Sequence, residues 1–78
     1  MAARWVMALT DEERAMLELE RQWFAHRGAK EGVILDRFGM SPTRYYQRLF
    51  ALVQTQAAME HDPITCRRVL RLVEKRRP

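Results

Sequence analysis

The sequence predicts an all-α fold: one small domain of about four helices with a central helix-turn-helix. Three observations point there. Glycine and proline number only three each, while Ala, Leu, Met, Glu, Gln and Arg, all good helix formers, are plentiful. β-Branched residues never gather into the alternating runs that strands need. Start and stop signals divide the chain at helical intervals. At 78 residues the chain suffices for one core, read as a domain over 9–76 preceded by an arm over 1–8.

The first helix opens at Thr10-Asp11-Glu12-Glu13. Thr10 is placed to accept from the Glu13 amide while Glu13 reaches back, and three acids favour the positive end of the helix dipole. Met16, Leu17, Trp23 and Phe24 recur at helical spacing and Gly28 supplies a stop, giving a helix over about Asp11–His26. The second helix, Lys30–Phe38, carries Val33, Ile34, Leu35 and Phe38, and Gly39 ends it. Ser41 then caps a third helix with Pro42 at its first position. Its inward stripe is Tyr45, Leu49, Leu52 and Val53, and it ends near Ala57. Asp62-Pro63 repeats the cap-and-proline signal and opens a fourth helix over 63–77. Cys66, Val69, Leu70 and Val73 line one face of it, and Arg67, Arg68, Arg71, Lys75, Arg76 and Arg77 cover the rest.

The third helix follows the second after little more than Gly39, Met40 and Ser41, with Met40 placed to plug the corner. Leu35, Gly39, Met40 and Tyr45 stand at the spacing that helix-turn-helix units use for internal contacts. In that geometry the start of the third helix enters the major groove of double-stranded DNA. Its outward residues are Pro42, Thr43, Arg44, Tyr46, Gln47 and Arg48. Arg44 suits a guanine and Gln47 an adenine edge, while Thr43 and Tyr46 suit phosphate or a thymine methyl. Arg67, Arg68, Arg71 and Lys75 would track phosphates without regard to sequence. A plain helical corner, a solvated Arg44 and a half-buried Tyr46 are the competing readings.

Charge agrees with a polyanionic partner, or with an ordinary solvated surface. Residues 1–29 hold four basic and five acidic side chains, and residues 30–78 hold ten basic and five acidic, within a net charge of +4. Two charges sit awkwardly: Glu20 falls on the first helix's apolar stripe and Arg48 beside the third's. Each requires a partner, and the other is one candidate.

The runs LTDEERAMLELERQWF, GAKEGVILDRFGMSPTRYYQRLFALV and DPITCRRVLRL resemble a small family of actinobacterial and actinophage proteins with a helix-turn-helix. The similarity spans about Leu9–Leu72 and is most specific in FGMSPTRYYQ. Leu9–Arg14 also resembles, more weakly, the opening of the promoter-binding domain of sigma factors. The resemblance implies a DNA-binding type of fold, without a target; residues and resemblance together are read as a small transcriptional regulator.

Other chemistry finds little support. His26 and His61 lie far apart in sequence, with no repeating spacing to Cys66 or to paired acids, so neither a zinc site nor a triad is predicted, and no glycine loop cradles phosphate. The sequence therefore predicts no enzyme and no cofactor. Cys66 is single, which excludes an internal disulfide and suits a reducing cytoplasm. The Trp5–Leu9 stretch is too short for a bilayer span or an export signal, so no membrane role is predicted. It folds back on the core, or pairs two copies in a homodimer, or meets a protein partner. The last option belongs to the rival functional reading, an adaptor or inhibitor that docks on a transcription-machinery protein.

Overall fold

The computed structural model describes residues 9–22 and 30–76, the side chains of Lys75 and Arg76 excepted. Among these residues the chain is mainly helical and forms no strand, in five elements: α1 (Asp11–Gln22), α2 (Lys30–Phe38), α3 (Pro42–Val53), α4 (Gln56–His61) and α5 (Pro63–Arg76). The expectations for Trp23, Phe24, His26 and Gly28 lie outside the described residues.

Local signals set most of the boundaries. The Thr10 amide donates to Glu13 Oε1 at 2.8 Å and the Glu13 amide to Thr10 Oγ1 at 3.0 Å, so two of the helix's unpaired donors are satisfied reciprocally. Arg14 reinforces this start by donating to the Leu9 carbonyl at 2.9 Å and pairing with Asp11. Gly39 sits at φ 64, the left-handed conformation, and its amide returns to the Leu35 carbonyl at 2.9 Å, closing α2. Ser41 is extended at φ −69, ψ 157, and its hydroxyl accepts from the Arg44 amide at 3.2 Å. Asp62 Oδ1 accepts from the Thr65 amide at 3.2 Å at the head of α5.

Two expectations need correction. The third helix does not run to Ala57; it stops at Val53, and a separate helix, α4, follows. Thr55 is the cause. Its backbone turns extended at φ −81, ψ 152, its hydroxyl donates to the Leu52 carbonyl at 2.8 Å and accepts from the Ala58 amide at 3.2 Å. One side chain thus ends α3 and caps α4. Leu35, read as an internal contact of the turn, instead faces solvent at 62% exposure, and Ile34 beside it is fully buried.

Helix α3 is the hub, packing on α1, α2, α4 and α5. Its Tyr45, Leu49, Leu52 and Val53 meet Met16, Leu17 and Leu19 of α1, Ile34 of α2, Met40 of the turn, Ala58 of α4, and Cys66 and Val69 of α5 in one cluster, with Leu9 packed at its edge. Each large side chain so buried contributes about 1.5–3 kcal/mol before conformational entropy is subtracted.

Within this apolar cluster lies one polar knot. Glu20 is buried, and its carboxylate receives Lys30 Nζ at 2.7 Å and the Tyr45 hydroxyl at 2.7 Å. Lys30 is buried with it, its ammonium 5.1 Å from the Tyr46 ring centroid. Arg68 donates to the Glu20 carbonyl at 3.1 Å, bringing α5 to the same point. Glu20 therefore does have a partner, but it is Lys30 rather than Arg48. Arg48 pairs instead with Glu12 at 2.8 Å. Burial in the first place, and then the negative charge of Glu20, push the Tyr45 phenol well above its ordinary range, so it stays a neutral donor.

Gly32 and Gly39 should respond to alanine with opposite signs. A Cβ at Gly32 meets nothing within 4 Å, so Gly32→Ala should raise stability by about 0.5–1 kcal/mol through helix propensity alone. Gly39→Ala must hold an L-residue at positive φ and should lower it by about 1–2 kcal/mol. Denaturant unfolding of both variants checks the pair. Glu20→Gln leaves the Lys30 ammonium buried without its counter-charge and should cost about 3 kcal/mol. The same change at exposed Glu18 should stay within about 0.5 kcal/mol, and equal melting temperatures would refute the assignment. Tyr45 makes stability depend on alkaline pH. The unfolded chain releases the phenol proton near 10.0 while the folded chain retains it. The contribution is thus complete below pH 10 and declines above it, by up to about 1.4 kcal/mol per pH unit. Tyr45→Phe should flatten that alkaline decline in a stability-versus-pH series.

Candidate nucleic-acid interface

The rotation of α3 about its axis decides which residues it offers. Successive helical residues advance by about 100°, so the inward positions of Tyr45, Leu49 and Leu52 put Thr43, Arg44, Gln47 and Ala51 on the opposite side. All four are exposed. The six residues predicted on this helix do not form one surface. Thr43, Arg44 and Gln47 make the outward strip. Pro42 is half-buried at the helix start, in the first-turn position its fixed φ favours.

Tyr46 and Arg48 flank the strip on opposite sides. Tyr46 is 42% exposed, its ring meeting Tyr45 edge-on at 5.1 Å. One edge of the ring is thus committed to the fold and the other is open. The Arg48 guanidinium reaches across to Glu12 on α1, with both side chains substantially open to solvent. No acidic residue lies anywhere in α3, so the strip carries the positive charge of Arg44 with nothing on the same helix to neutralise it.

On α5 the predicted cations also separate. Arg67 and Arg71 are exposed, four residues apart and therefore stacked on one face. Arg68 is half-buried and turned to α1 through the Glu20 carbonyl. Lys75 lies within the helix, and its side chain is outside the described residues. Ile64 and Leu72 are exposed beside these arginines, at 72% and 44%.

Three features were not anticipated. Ala51 extends the α3 strip by one turn; it stands four residues after Gln47, so the periodicity that picked out Arg44 and Gln47 applies to it equally. Its methyl group adds little height to the strip. Lys30 lies under Tyr46, a contact that no sequence spacing signals because it crosses from α2 to α3. Leu35 stands outward on α2 between exposed Glu31 and Asp36.

Cys66 is buried, and burial, followed by the charge of Asp62, pushes its thiol up, which keeps it protonated and unreactive. Among the described residues no group of three or more His, Cys, Asp or Glu side chains is placed to hold a metal ion. No helix among them is long and apolar enough to cross a membrane.

Comparison with curated proteins and with solved structures gives no match. A family model does match, over residues 8–78: that of DUF3263, described as a protein of unknown function. The match takes in all five helices and both the α3 strip and the α5 arginines, so the chain belongs to the DUF3263 family.

Proposed function

We propose that this protein is a small helix-turn-helix DNA-binding protein, a transcriptional regulator that lays α3 in the major groove. The observation that supports this best is the outward strip of Thr43, Arg44 and Gln47 at the start of α3. It follows a three-residue turn built from left-handed Gly39, buried Met40 and capping Ser41. The strip pairs one guanidinium with one carboxamide, the two side-chain types that fork onto guanine and adenine edges. Arg67 and Arg71, with Lys75, add sequence-independent attraction to phosphate, and Arg48 joins them once it leaves Glu12.

The same reading makes the protein a non-enzymatic, cytoplasmic one that needs no cofactor. It also retains the actinobacterial or actinophage origin implied by the FGMSPTRYYQ run. The likeness of Leu9–Arg14 to the sigma-factor promoter-binding domain supports a role at promoters. A homodimer through Trp5–Leu9 would double the base pairs read; Leu9 packs on its own core, and Trp5–Ala8 lie outside the described residues.

A second reading has its own support. Leu35, Ile64 and Leu72 are large apolar side chains held in water at 62%, 72% and 44% exposure, which suits a protein partner such as a component of the transcription machinery.

Binding to random duplex DNA at about 50 and about 200 mM salt separates the two. A DNA-binding protein should lose affinity steeply across that range. Arg44→Ala should cost about 1–3 kcal/mol on the preferred sequence and relax sequence choice, while Arg71→Ala should weaken every duplex alike and lower the salt slope by about 1. No duplex binding at the lower salt, with a polymerase component co-purifying, would replace the DNA reading with the adaptor.

A further inference from the structure

We infer that the outer face of α2 docks on the outer face of α5 in a second copy of this chain, head to tail. Leu35 lies beside Ile64 in this contact, and Glu31 and Asp36 face Arg67 and Arg71. The two faces match in both of their chemistries. On α2 an exposed leucine is flanked by two exposed carboxylates. On α5 an exposed isoleucine shares a stripe, at i, i+3 and i+7, with two exposed guanidiniums. None of the four charged side chains has an ion pair among the described residues, although Glu12, Glu18 and Glu20 of α1 are all paired.

The faces do not satisfy each other within one molecule, since Leu35 and Ile64 remain 62% and 72% exposed. Helix α2 packs chiefly on α3, whereas α5 packs on α1, α3 and α4. A donor face and an acceptor face on one chain make the contact heterologous, so copies add in a row instead of closing as a two-fold pair. It is therefore distinct from pairing through Trp5–Leu9. A consequence rests on the DNA reading: the acids of α2 occupy the arginines that phosphates would take, so self-association and duplex binding compete.

Sedimentation velocity of the full chain without DNA tests the contact. The wild-type protein should associate with rising concentration. The association should weaken as ionic strength goes from about 0.01 M to about 0.15 M, where the screening length shrinks from about 30 Å to about 8 Å. Leu35→Lys and the double variant Arg67→Glu, Arg71→Glu change only exposed side chains, and circular dichroism verifies that both fold. Each alone should be monomeric. Mixed in equal amounts they should form a one-to-one dimer and nothing larger, because each retains the face that the other has lost. A wild-type protein that stays monomeric at low ionic strength overturns the inference. So does association of either variant by itself, or a mixture that remains monomeric. Added duplex should dissolve the wild-type assemblies, and assemblies that persist on bound duplex overturn the competition. Association in a protein that ignores duplex supports the contact and removes only the DNA reading.

Discussion

The buried carboxylate of Glu20 is the constraint around which the rest of the molecule is arranged. A charge taken out of water demands compensation, and three helices besides its own supply it or crowd round it: Lys30 from α2, the Tyr45 hydroxyl from α3, and Arg68 from α5 on the adjoining carbonyl. A wholly apolar junction of the same volume would be as stable or more so, since desolvating a pair offsets much of its attraction. What the polar version adds is direction. A phenol must point its hydroxyl at the acceptor, so α3 is held at one rotation, and that rotation places Thr43, Arg44 and Gln47 in solvent.

How far the sequence reveals this depends on how far apart the interacting groups lie along the chain. Caps operate over three residues, and those at Thr10, Ser41 and Asp62 were all legible. Thr55 acts over the same distance but carries neither the acid three residues on that marks Thr10 nor the following proline that marks Ser41 and Asp62. The Glu20 stripe position announced that a partner was needed, but its identity depends on how α2 docks. Lys30, ten residues further along the chain, has no periodic relation to it. Leu35 was misplaced for a related reason. Hydropathy marks a residue as fit for burial, yet the short α2 turns only a narrow face to α3, and Ile34 occupies it.

The candidate interface was legible as a set of residue types and only in part as a surface. Helical spacing identifies Thr43, Arg44 and Gln47 as neighbours. It cannot say that Tyr46 is committed on one edge to Tyr45 or that Arg48 bridges to α1, because those depend on what stands beside the helix. On α5 the same spacing groups Arg67 with Arg71, but only packing shows that Arg68 turns toward α1.

Burial, more than count, determines which cations serve a ligand. Lys30 and Glu20 retain 9% and 8% of their side-chain exposure, so separating them would strand a charge in a dry site at a cost of several kcal/mol. Arg48 and Glu12 retain 45% and 39%, and water screens and replaces their contact at a cost of about 0–1 kcal/mol. In the proposed DNA-binding reading, a phosphate beside α3 would therefore compete for Arg48 and not for Lys30. The Arg48–Glu12 pair is a reserve of positive charge at the flank of the strip, and the Lys30–Glu20 pair is a fixed part of the scaffold that holds the strip outward.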